Sequence, residues 1–255
     1  MHPSTNISAP FERSEVTYFS TSSTVFVPAL SKAKDFKSST GMAVSQNCLG
    51  FAHFFAGDWE QAAAAARAAV EAAKSSGDLI YLYVGNALWA WAAALIDQLE
   101  VAAEQLNRSQ EIAQKLGGSV IMGDVFQAAK AEITLLKGNP QGAIEIAGRL
   151  IEMAQPLGSI WSVGVSHRVW GQALAKLPIP AWDQAETQMS QSLQLLESGR
   201  NLLEAARTRL AWGEICRDRG NTRTALNLWE QANCQFTTSN ATCEMQRVQR
   251  LMAKY

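Results

Sequence analysis

The sequence predicts an all-α protein: a right-handed α-solenoid of five helix hairpins on a repeat of roughly 40 residues, closed by a C-terminal capping helix. Three columns of small residues in one register carry this reading. Ala62, Ala102, Ala143, Ala185 and Ala225 recur 40, 41, 42 and 40 residues apart, each ending a turn phrase such as Gly57-Asp58-Trp59-Glu60-Gln61-Ala62 or Gly220-Asn221-Thr222-Arg223-Thr224-Ala225. Gly77, Gly117, Gly158 and Gly199 form a second column, spaced 40, 41 and 41. Gly50, Ala90, Ala131, Gly171 and Gly213 form the third, seven residues before each inner turn, where a small side chain lets the two helices of a hairpin approach closely. Nothing alternates between apolar and polar with period two over a useful length, so strands are not expected.

Residues 1–40 differ in kind from the rest. Fourteen of these forty are Ser or Thr, and the one apolar run, Val25-Phe26-Val27-Pro28-Ala29-Leu30, is too short for the core of a signal peptide. Glu12, Glu15 and Asp35 also argue against a transit peptide. The segment reads as a Ser/Thr-rich, poorly ordered leader, or an irregular cover on the first hairpin, with the repeat domain running from 41 to 255.

The hairpins are expected near 41–76, 78–116, 119–157, 159–198 and 200–239, with a closing helix over 241–254. Within each, a turn glycine can take the left-handed conformation that ends one helix, and a neighbouring Asp, Asn or Thr can cap the next. Pro140 sits where a first helical turn tolerates proline. In the first hairpin Phe51, Phe54 and Phe55 have no earlier unit to cover them, so the leader or a segment upstream is expected over them. In the second, Leu79 to Ile96 is eighteen residues without a charge. It has Asn86 and Gly85 in its middle and Asp78 and Asp97 at its flanks, which suits a helix buried in the stack rather than a membrane span. The third hairpin departs from the pattern, with Lys130 where the others have Leu or Trp. The closing helix, through Met245, Val248, Leu251 and Met252, would seal the last apolar face.

These phrases resemble tetratricopeptide repeats: Leu49-Gly50, Trp89-Ala90, Trp170-Gly171 and Trp212-Gly213, then a Gly-Asp-x-x-x-Ala turn. The longer unit is similar to the C-terminal repeat regions of bacterial signalling ATPases, including ATP-dependent transcription activators and adenylate or guanylate cyclase fusions. The run from Ala205 to Ile215, followed by Arg219-Gly220-Asn221, is the nearest echo. The resemblance covers about residues 41–255 and implies a sensor or interaction module, detached or truncated from catalytic machinery that would lie upstream. It also implies which residues face a ligand, because in such stacks the first helix of each hairpin lines the concave face. Carried over, that phase selects Asn47, Phe51 and Phe54, then Trp91 with Ala87 and Ala94, Glu132 with Ala128 and Leu135, Arg168 and Gln172 with Ala175, and Glu214 and Arg217 with Leu210. Arg207 joins one turn earlier. The groove would be apolar and aromatic in its first half and charged in its second, matching a peptide or amphipathic helix of the same polarity.

Chemistry is sparse. There is no phosphate-loop motif, no His-Glu-x-x-His and no Gly-x-Ser-x-Gly, and Ser31-Lys32-Ala33-Lys34 lacks the companions that would make it catalytic. His2, His53 and His167 have no metal-ligand spacing with any cysteine. The protein is therefore expected not to be an enzyme and to carry no cofactor or metal. Four irregularly placed cysteines, Cys48, Cys216, Cys234 and Cys243, give no disulfide framework and point to a reducing, cytoplasmic home. With 22 basic against 23 acidic residues the chain is not a general nucleic-acid binder. Residues 200–255 nevertheless hold nine basic against five acidic side chains, which keeps a nucleic-acid-associated module as the second reading beside a protein or peptide partner. Trp89, Trp170 and Trp212 share a packing column and read as core rather than as a stacking platform.

Overall fold

The turn chemistry acts where the sequence places it. Asp58 accepts a hydrogen bond from the Gln61 amide, Asp78 from Ile80 and Tyr81, Asn139 from Gly142 and Asn221 from Thr224. Each satisfies a donor that the first helical turn cannot. Gly77, Gly117 and Gly158 are left-handed, with φ of 72°, 86° and 72°. The fourth member of that column differs: Gly199 stays at φ −80° and the positive angle, 57°, passes to Arg200.

The computed structural model describes residues 15–118 and 120–255, the side chains of 15–24 excepted. Its helices are α1 Glu15–Asp35, α2 Ser39–Ala56, α3 Trp59–Ser76, α4 Leu79–Leu95, α5 Leu99–Lys115 and α6 Gly123–Leu136. They continue with α7 Pro140–Ala154, α8 Ile160–Ala175, α9 Trp182–Ser198, α10 Leu202–Asp218, α11 Thr222–Thr238 and α12 Thr242–Met252. The pairs α2/α3, α4/α5, α6/α7, α8/α9 and α10/α11 are the five hairpins in the predicted phase, and α12 closes the stack. Lys130 lies half-buried in α6 and does not prevent the third hairpin from forming.

The packing has a clear inside. The first helices touch in succession, α2 with α4, α4 with α6, α6 with α8 and α8 with α10, while the second helices make no comparable contact with one another. Helices that meet their counterparts in neighbouring repeats lie on the inner side of the curve. The small-residue column permits this closeness: an added Cβ at Gly50 would lie 2.8 Å from Leu88 Cδ2, and at Gly171 it would lie 2.9 Å from the Ala185 carbonyl. Trp89, Trp170 and Trp212 pack, half-buried, against the core.

Two expectations about the first hairpin are corrected. The leader was expected to lack regular structure, yet from Glu15 it is helix α1, which packs along α2; residues 1–14 lie outside the described residues. Its inward stripe is half-buried Phe26, Ala29 and Leu30 with buried Ala33, a helical spacing hidden in a Ser/Thr-rich run by the exposed Val25 and Val27 that flank Phe26. Second, later helices of the stack cover the phenylalanines. The curve is tight enough for later helices to reach them: Phe51 meets Phe126 of α6 at 6.2 Å between centroids, Phe54 meets Trp91 of α4 at 4.4 Å, and Phe55 meets Trp161 of α8 at 6.2 Å. The uncharged run of the second hairpin is α4, buried from Tyr83 to Leu88 and again from Ala90 to Ala94. Among the described residues no helix is long and apolar enough to cross a membrane.

Candidate functional site

The curvature that brings α8 to α2 also brings the two ends of the stack together. Arg207, in the second turn of α10, donates from Nη2 to the carbonyls of Phe54 (3.5 Å) and Phe55 (3.2 Å) in the last turn of α2. Carbonyls at a helix end lack intrahelical partners and carry the negative end of the dipole, so a guanidinium is well placed there. Glu244 of α12 lies directly on Gly57, where a Cβ would fall 2.0 Å from Glu244 Oε2. Gly57 is thus required both for its φ of 78° and for this close approach. The groove is a lumen closed by a seam between the first hairpin and helices α10 and α12.

A chain of charges lines the seam side. Arg168 Nη1 bonds Glu204 Oε2 at 2.7 Å, and Arg207 bonds both Glu204 Oε1 and Glu244 Oε1. Glu204 and Glu244 are each only 1 % exposed, so these are buried ion pairs and not the weak surface kind. Burial by itself pushes the Glu204 carboxyl up, but the Arg207 and Arg168 guanidiniums outweigh it and hold it below the ordinary glutamate value of 4.5. A carboxyl whose pKa is lower in the folded state stabilises the fold fully above its unfolded value, and that contribution fades as the pH falls through the folded one. The stability difference between the native chain and Glu204→Gln should therefore be constant above about pH 5 and shrink steadily below about pH 4.5. Urea unfolding of both proteins across that range measures it, and a difference that does not change with pH would remove the assigned charge state.

Opposite the charges stands an aromatic wall. Phe54 and Trp91 are stacked at a tilt, and Trp91 Nε1 donates to Glu132 Oε2 of α6 at 2.6 Å. Between wall and charges lies a cavity of about 70 Å³. Eight of the sixteen residues selected from the sequence line it: Phe54, Trp91, Glu132, Arg168, Gln172, Arg207, Leu210 and Glu214. Three of the others have different tasks. Asn47 is buried and donates from Nδ2 to the Tyr81 carbonyl, tying α2 to the first turn of α4. Phe51 stacks between Phe55 and Phe126, and Arg217 pairs with Asp218. The apolar and charged halves, expected at opposite ends of an open groove, line one cavity because the ends meet.

Trp59, Leu95, Glu204, Glu244 and Arg247 also line the cavity and were not selected. Glu204 lies three residues before Arg207 on the same face, so extending the phase by one more turn would have found it. Glu244 and Arg247 come from the closing helix, and Trp59 from the start of α3. Nothing local in the sequence marks them, because the closure that places them accumulates over all five hairpins.

No family model matches the chain, and the comparison with curated proteins gives no match. Solved structures do share the fold. The chain is similar to NprR in complex with its cognate peptide NprX, with a TM-score of 0.73 and 14 % identity over 94 % of this chain and 73 % of that one. It is also similar to BtubC (BKLC) from P. vanneervenii, with a TM-score of 0.56 and 14 % identity over 95 % of this chain and 94 % of that one. At these identities the likeness concerns the helical-repeat fold alone.

Proposed function

We propose that the chain is a non-catalytic helical-repeat module that binds a peptide or protein segment in its lumen. The observation that carries this is the cavity itself: an aromatic wall of Phe54, Trp59 and Trp91 facing fixed polar groups, the mix that ligand sites use for affinity and orientation. The peptide bound by NprR, a neighbour in fold, supports the same reading. The similarity to repeat regions of bacterial signalling ATPases adds a sensor or interaction role within such a system.

The nucleic-acid reading loses its main support. Of the nine basic residues in 200–255, Arg207, Arg209, Arg217, Arg219 and Arg247 are paired with carboxylates. Arginines held by acidic neighbours present little charge to phosphates.

The test passes a randomised heptapeptide mixture over the immobilised chain and over Gln172→Trp. Gln172 is half-buried at the cavity, and an indole there fills the lumen while leaving the ion pairs in place. The native chain is expected to retain a distinct subset of peptides, identified by mass spectrometry, that the filled variant retains at least about tenfold more weakly. Equal retention by both would remove the lumen as the site.

A further inference from the structure

The charges around the cavity do not balance in the way their pairing first suggests. Three guanidiniums line it, and each is engaged: Arg168 with Glu204, Arg207 with Glu204 and Glu244, Arg247 with Glu214. Four carboxylates line it, and Glu132 has no cationic partner among the described residues, its one bond being the Trp91 indole. Glu244 is not a second open acceptor, because its Oε2 is sealed against Gly57, where an added Cβ would lie 2.0 Å away. The Glu132 carboxylate sits at the N–H edge of the Trp91 indole, which is packed on Phe54.

Resting on the reading of the lumen as a peptide site, we infer that this cavity receives a cationic group of the bound peptide, an ammonium or guanidinium, on Glu132 beside the Trp91 ring. Among the described residues the cavity offers one carboxylate without a cation, Glu132, and no free guanidinium, so it selects donors and positive charge and rejects carboxylates. At about 70 Å³ it holds the end of one side chain or an amino terminus, with the rest of the peptide lying outside it. The Glu132 carboxylate is fixed in position by the Trp91 indole, so little ordering is left to the ligand.

The experiment compares heptapeptide pools in which one position is fixed as Lys, Arg, Ala or Glu, each with free and with acetylated amino termini. Binding to the native chain is followed by tryptophan fluorescence. Pools carrying the fixed cation, or the free amino terminus, are expected to bind about tenfold more tightly than the acetylated Ala and Glu pools. The arm that carries the preference tells a side chain from a terminus. In Glu132→Gln, which keeps an acceptor for the Trp91 indole, that preference should fall to about twofold or less while the acetylated Ala pools are unaffected. Peptide binding with no preference for cations, or a preference for Glu, would overturn the inference and leave the lumen a peptide site. Binding by no pool above the level of Gln172→Trp would overturn both. The comparison of pools on the native chain decides the matter even if Glu132→Gln fails to fold.

Discussion

Replacing Arg207 with alanine is expected to destabilise the fold by about 3–5 kcal/mol, the range seen when one partner of a buried ion pair is removed. For a chain of this length that is a fall in melting temperature on the order of 10 °C. The size follows from what is left behind. Glu204 and Glu244 would remain 1 % exposed, Glu204 with only Arg168 and Glu244 with no cation at all. The carbonyls of Phe54 and Phe55 would also lose the donor that crosses the seam. Because the loss lies at the junction of first and last elements, amide exchange should quicken in α12 and in the α2–α3 turn before it does in α6 or α7. Adding Glu244→Gln to Arg207→Ala should restore part of the stability, since the orphaned charge is then gone. A loss under about 1 kcal/mol would mean that the seam behaves as a solvated surface contact.

That prediction rests on the part of the molecule least visible in its sequence. The hairpins were legible because their signals are short-range: a cap three residues from its amide, a glycine at a helix end, an alanine opposite a glycine in the next helix. The inner face was legible through the resemblance to tetratricopeptide stacks, whose phase, carried over, sends Phe54, Trp91, Glu132, Gln172 and Arg207 to one side. What phase cannot supply is how far each repeat turns relative to the last. That rotation depends on the sizes of side chains between helices, and five small contributions decide whether the ends meet. Glu244 therefore read as part of a cap and Phe55 as an uncovered residue, when the curve sets Glu244 on Gly57 and Phe55 on Trp161. Helix α1 was missed for a different reason. Its apolar stripe is only four residues wide in the described side chains, and serine and threonine, weak helix formers, dilute it.

The small-residue column yields the other large effect. Trp229 of α11 is fully buried, lies against Gly213 of α10 and donates its indole N–H to the Leu210 carbonyl at 3.2 Å. Trp229→Ala removes the largest fully buried side chain among the described residues and should cost about 3–5 kcal/mol. Gly213→Leu should also destabilise, by about 1–3 kcal/mol or more, because a Cβ there would lie 2.3 Å from the indole nitrogen. The indole is held by its hydrogen bond and by the core around it, so it has nowhere to retreat. In the second and third hairpins the same column holds Ala90 and Ala131, fully buried without strain, so the demand for glycine comes from the indole and not from the repeat. The two substitutions should therefore compensate. In the double variant the leucine enters space the indole has vacated, and the combined loss should fall short of the sum of the single losses by roughly 1–3 kcal/mol. Denaturant unfolding of the four proteins measures this coupling. Losses that simply add would mean that Gly213 is required for its backbone rather than for the ring beside it.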